Sequence, residues 1–195
     1  MTMTRRDAIA EAVLSSRVLF GRYLVGFDDS NHTRQAPNLP NHVAWCLGHC
    51  ALTMLRAAEK IDHKIPPESD FYTPQMVPAV HSAHAAGAAT LVRTAQHAPP
   101  SRYDCETVAF QSTPVDNPVL YPRFTRCVEI FDRATDRYAE LIRSLPETRL
   151  DEMIRWGQIE IPIWASGLRM AFHNGTHSGQ VADLRRALGM RSIFT

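Results

Sequence analysis

Phe172-His173-Asn174-Gly175-Thr176-His177-Ser178-Gly179-Gln180 carries two histidines four residues apart, and the apolar residues that follow keep the same rhythm. Val181, Leu184 and Leu188 continue from His177 at helical steps, so a helix puts all five side chains on one face. The histidines therefore point where the leucines point, into the interior of a helical domain. Residues at this spacing differ by about 6 Å of rise. Two imidazoles so placed can converge on one metal ion, each roughly 2.0–2.1 Å from a zinc-like centre. The spacing predicts a helix that begins near Ile161 to Ile163 and runs to Leu188, with Gly189 as its stop.

Working outward, the stretch from Pro122 to Leu145 is predicted to be a second long helix. Phe124, Val128, Phe131, Thr135, Tyr138, Ile142 and Leu145 recur in alternating steps of four and three, the near-3.5 period of a bundle seam. Pro122 suits a first helical turn and Pro146 ends the run. A helix over about 4–27 is expected from the stripe Ile9, Val13, Leu14, Val18, Phe20 and Leu24, closed by Asp29, Ser30 and Asn31. Another is expected from Asn41 to Ile61. There His42, Cys46, His49 and Thr53 form a polar strip on an otherwise apolar helix. Four such helices make an all-α four-helix bundle, read as a single domain over 1–195. Between its second and third helices lies a long insertion, 62–121, irregular and partly helical around 79–97. Connections of that length are uncommon in compact domains unless they cover or shape a site, so this one is expected to roof the pocket and set substrate choice.

Composition narrows the class. The 195 residues are 45% hydrophobic and 21% charged with a formal net charge of +1, which is ordinary for a globular domain and offers no electrostatic case for nucleic acid or an anionic membrane. No run approaches the 18 or so apolar residues of a membrane span. Asp7 and Glu11 interrupt any secretory signal, and the four cysteines do not form a disulfide-scaffold pattern, so a reducing cytoplasm is expected.

The candidate ligands are His173, His177 and, from the second helix, His49, on the chemistry of imidazole toward divalent metals. Core histidines satisfied by carbonyls, or a solvated pair, are the alternatives. Position 174 is Asn, so the general base of an H-E-x-x-H zinc protease is missing. Gln180, Asp183 and Glu160 are candidates to orient the imidazoles, or else ordinary surface residues. Cys46, one turn before His49, either faces the metal or fills the core. His42 is a proton shuttle or a polar residue at the helix start. Arg169, one turn before His173, binds an anionic substrate or a surface carboxylate. His81 and His84 read as a solvated pair, and Trp45, Trp156 and Trp164 as core or interface aromatics.

Leu47-Gly48-His49, together with His173-x3-His177-x-Gly179-Gln180 and the following Leu184-Arg185-Arg186-x-Leu188-Gly189, resembles the DinB/YfiT-like metalloprotein superfamily. The resemblance implies a four-helix bundle with one crossover connection and a commonly homodimeric assembly. It further implies a divalent metal, usually zinc or nickel and sometimes iron, on residues matching His49, His173 and His177. Several relatives are transferases or isomerases that use bacillithiol, mycothiol or glutathione as co-substrate. The expectation is thus a metal-dependent enzyme of the thiol-dependent S-transferase type acting on a small electrophile. A metal-dependent hydrolase, or a non-catalytic stress-associated metal-binding bundle, are the alternatives. Three protein ligands leave coordination positions vacant and favour an enzyme. A fourth ligand from Cys46, His42 or the insertion would favour sequestration.

Overall fold

A computed structural model describes residues 2–73 and 99–194. Four long helices dominate: α1 (Arg5–Tyr23), α2 (Val43–Asp62), α3 (Phe124–Ser144) and α4 (Ile163–Ala187). Helices α1 and α2 each pack against both α3 and α4, the arrangement of a four-helix bundle. Among the described residues no helix is long and apolar enough to cross a membrane.

Local chemistry sets the helix ends. Thr4 and Asp7 form a reciprocal capping box at the start of α1. That helix stops at Tyr23 rather than near Phe27, and the chain turns at Gly26, whose φ of +85° lies in the left-handed region. The start of α3 has no side-chain cap of its own. Asp29, from the turn after α1, supplies one by accepting from the Phe124 amide at 2.7 Å. Helix α3 buries Cys127, Ile130, Phe131, Ala134, Tyr138 and Ile142 along one stripe, while α2 is buried almost all round. At the far end of α4, Arg185 is buried and donates to the carbonyls of Tyr23, Val25 and Arg191. It ties the C-terminal residues to the turn after α1.

Two small sheets were not anticipated. Strands β1 (Phe71–Tyr72) and β2 (Tyr103–Asp104) pair in parallel. Strands β3 (Met153–Trp156) and β4 (Ile159–Pro162) form a hairpin that turns at Gly157, φ +61°. Ile154 and Ile161 are its buried side chains and pair across the ladder. Four-residue strands offer too short an alternation to stand out from a helical sequence. The helix expected over 79–97, with His81 and His84, lies outside the described residues. The rest of the 62–121 connection joins the core through Phe71, Tyr103, Cys105 and Val108.

Candidate metal centre

Helices α2 and α4 run antiparallel. Asn41, just before α2, donates to Gln180 near the end of α4 at 3.0 Å, and Lys60 near the end of α2 donates to the Arg155 carbonyl, on the hairpin before α4, at 2.8 Å. This arrangement sets His49 opposite His173 and His177. Nε2 of His173 lies 3.2 Å from Nε2 of His49 and 3.2 Å from Nε2 of His177. The ligand nitrogens of all three lie within 4.8 Å of one another.

The outer nitrogens determine what the inner ones can do. A carbonyl only accepts, so the 2.9 Å contact from His49 Nδ1 to the Val108 carbonyl requires a proton on Nδ1. His177 Nδ1 likewise donates to Gln180 Oε1 at 2.8 Å, and that oxygen also accepts from Asn41. In neutral rings both Nε2 atoms are then bare lone pairs. His173 Nε2 can offer at most one hydrogen to the two of them. Three nitrogens that converge with too few protons to pair them suit a shared cation. Tetrahedral bonds of about 2.0–2.1 Å would hold ligand nitrogens roughly 3.3–3.4 Å apart, close to the observed spacing. The residues present fit a divalent metal.

Ionisation agrees. Burial, with the neighbouring His177 and His49, lowers His173 to about 3. Burial lowers His177 to about 4, with His49 adding to the effect and the Gln180 hydrogen bond opposing it. His49 is lowered by burial, against the Val108 hydrogen bond, and Arg56 adds to the lowering. Neutral imidazole is the form that ligates.

Trp45 packs the site from one side. Its ring stacks on His49 at 4.5 Å between centroids and 8° between planes, meets His177 edge-on at 5.7 Å, and donates Nε1–H to Ser112 Oγ at 2.9 Å. Held between Trp45 and the Val108 carbonyl, the His49 ring has its tautomer and orientation set by neighbours on two different elements.

The model of the DinB superfamily matches residues 15–181, most of the chain. The chain belongs to the DinB superfamily. Among solved structures it is similar to a conserved protein of Enterococcus faecalis, with a TM-score of 0.65 at 14% identity over 96% of this chain and 99% of that one. At that identity the likeness speaks for the fold alone. No curated protein sequence matches it significantly.

Within this DinB-superfamily bundle, the structure brings together His49, His173, His177 and Gln180 from the residues singled out in the sequence. Others stand elsewhere. His42 is the N-cap of α2: its Nδ1 accepts from the Trp45 amide at 3.2 Å, and its ring meets Tyr121 at 4.6 Å. Its ring is fully buried, and it is not one of the grouped ligands. Cys46 is fully buried in the core, its thiol pushed far up by burial, and it is not one of the grouped ligands. Asp183 is exposed and pairs with Arg186 one turn on. Glu160 is exposed on β4. Asn174, where a zinc protease would carry its base, is buried and donates to Ser16 Oγ of α1 at 3.0 Å. Trp45, Val108, Ser112 and Asn41 escaped the sequence reading of the site. Trp45 carries a signal, because it lies four residues before His49 on the same face. A carbonyl such as that of Val108 carries none, since every residue has one.

His49 and His173 open onto a cavity of about 680 Å³ lined also by Leu52, Phe110, Trp156, Arg169 and Phe172. Val108, Ala109 and Phe110 come from the connection between α2 and α3, so its described part forms one wall.

Proposed function

We propose that His49, His173 and His177 hold one divalent metal, zinc or nickel by ligand type and family and iron as the less common choice, and that the protein is a thiol-dependent S-transferase acting on a small electrophile. The observation that carries the reading is the opening of two of the three histidines onto a small-molecule cavity, which leaves room for a substrate beside the ligands. The bound metal would lower the pKa of a thiol brought to it and so supply a thiolate at neutral pH.

The chain's own residues do the rest. Val108 and Gln180 hold the His49 and His177 imidazoles with their lone pairs inward, and Trp45 covers one face of His49. Phe110, Trp156 and Phe172 give the electrophile an apolar wall beside the nucleophile. Transfer then forms a carbon–sulfur bond as the carbon–halogen bond breaks, with halide leaving and the thiol proton passing to solvent. The choice of a thiol over water as nucleophile rests on the family resemblance. Cys46 and His42 are engaged elsewhere, so neither serves as a fourth ligand.

Zinc- or nickel-loaded protein, incubated with glutathione, bacillithiol or mycothiol and an activated aryl halide, should consume the halide faster than His177→Ala protein does. The variant should lose most bound metal while keeping its helical circular dichroism. If no thiol outperforms the variant, the transferase reading fails. Stoichiometric metal in the double variant His173→Ala, His177→Ala would place the ligands elsewhere.

A further inference from the structure

The cavity beside the histidines has an unusual lining for a protein of nearly balanced charge. Arg56, Lys60 and Arg169 all line it, and no acidic residue does among those described. Lys60 is engaged with the Arg155 carbonyl and sits 5.6 Å over the Trp156 ring. Arg56 and Arg169 make no hydrogen bond or ion pair among the described residues, whereas most arginines of this bundle, including Arg5, Arg17, Arg126, Arg137 and Arg143, are paired. Two unpartnered guanidiniums converge from different helices on one concave surface. Phe110 and Phe172 line the same cavity, each 78% exposed, which is far more than a phenylalanine placed for core packing would show.

Helical rise sets the scale. Arg169 is one turn from His173, about 6 Å along α4, and Arg56 is two turns from His49, about 10 Å along α2. Because the helices are antiparallel, both cations are displaced toward the same end of the pocket. A molecule that reaches the histidines with one end therefore places its other end between the guanidiniums, with its middle against the aromatic rings.

We infer that this cavity takes an organic anion with an aromatic or branched apolar body, its carboxylate or similar head held by Arg56 and Arg169 and its body by Phe110, Trp156 and Phe172. The inference rests on the reading of the cavity as the substrate pocket and adds the chemical class that enters it. Guanidinium is suited to this because its planar fork grips a carboxylate with two parallel hydrogen bonds. Lys60, held over Trp156, adds positive field at the rim without needing to touch the ligand.

The test compares 4-phenylbutyrate, its neutral amide and 4-phenylbutylamine by calorimetric titration, on metal-free and on zinc-loaded protein. The anion should bind tightest and the amine weakest in both forms, and the preference should shrink as salt is raised. Arg56→Gln and Arg169→Gln, both at exposed positions, should each weaken the anion about tenfold and leave the amide unchanged, a loss within the range of one charge-assisted bond. Zinc affinity of Arg169→Gln should equal that of the wild type, because this residue touches no ligand, whereas Arg56→Gln, which removes a cation that acts on His49, should bind zinc no more weakly than the wild type. Equal affinity for anion and amide in the metal-free protein, or an anion preference that survives both substitutions, would overturn the inference. An anion preference seen only with zinc, and insensitive to the arginines, would assign it to the metal and overturn it as well. If zinc fails to bind while the arginine-dependent preference persists, the metal reading falls and the anion pocket stands.

Discussion

Gly48 offers the sharpest test of how the fold holds the metal centre. A Cβ at this position would lie 2.5, 2.7 and 2.9 Å from three ring carbons of Tyr103, where ordinary contact needs 3.4–4 Å. Tyr103 has nowhere to retreat, because it is fully buried, stacked on Phe71 at 5.7 Å, and donates its hydroxyl to the Ala44 carbonyl at 2.8 Å. Gly48→Ala must therefore move the ring by close to an ångström. Overpacking of this kind costs about 1–3 kcal/mol, and loss of the Tyr103 hydrogen bond adds about 1 kcal/mol. Replacing glycine inside a helix returns about 1 kcal/mol. The net is a destabilisation of about 2 kcal/mol, read as a fall in Tm of roughly 4–8 °C for a chain of this size.

The same displacement should reach the ligands. Tyr103 begins the segment that delivers Val108, and the Val108 carbonyl is what holds His49 Nδ1. Zinc affinity of Gly48→Ala should drop by about tenfold, the lower end of what losing a ligand's supporting hydrogen bond costs. Gly175→Ala is the control: it lies in α4 between the two histidines, and an added Cβ meets nothing within 4 Å. That variant should gain about 0.5–1 kcal/mol and keep its zinc affinity. Urea unfolding of the metal-free proteins and a chelator-competition titration give both quantities. If Gly48→Ala is as stable as Gly175→Ala and binds zinc like the wild type, the coupling between Tyr103 and the site is wrong.

Gln180→Ala removes the acceptor of the His177 Nδ1 hydrogen bond and should weaken zinc about 10- to 100-fold, whereas Gln180→Glu, which keeps an acceptor there, should retain it; competition titration decides, and unchanged affinity in the alanine variant refutes the positioning role. Metal-free protein should also lose stability in acid through His42, which burial lowers from 6.5 to about 4. The unfolded chain takes up this proton as pH falls below 6.5 and the folded chain does not, so stability declines from pH 6.5 to about 4 and the loss is constant below that. The full effect is roughly 3 kcal/mol at 1.36 kcal/mol per unit. His42→Asn keeps a capping side chain and should make the acid loss shallower in urea unfolding, leaving the share carried by the lowered His173 and His177; parallel profiles would refute it.

The helices were legible because each carries a long periodic stripe, and burial follows it except at Val18 of α1, which faces solvent. Along α3 and its C-cap, all seven residues read as the seam, from Phe124 to Leu145, are buried or packed on the core. The hairpin of β3 and β4 was not legible, since its inward side chains Ile154 and Ile161 lie seven residues apart and their pairing depends on a turn at Gly157. The end of α1 was misplaced for a related reason. Leu24 and Phe27 are buried as the stripe demands, but they reach the core from a turn rather than from another helical turn. Periodicity reports which side chains go inside, and only the hydrogen bonds decide which backbone carries them.

The site divides along the same line. His173 and His177 announce themselves through local spacing, and His49 through its place on a second apolar helix. What turns three histidines into a candidate ligand set is the pair of acceptors behind them, and these differ in kind. Gln180 lies three residues from His177 on the same helix, so the sequence could nominate it together with Asp183. The structure separates the two, because position 180 turns toward the ring and position 183 turns to solvent and Arg186. The acceptor for His49 is a main-chain oxygen 59 residues away, inside a connection whose sequence carried no sign of it. That connection places Val108 behind His49 and Phe110 in the cavity wall two residues later. A single short segment thus both orients a ligand and shapes the space in front of it. Any change in its seating on Tyr103 should therefore alter metal affinity and ligand preference together.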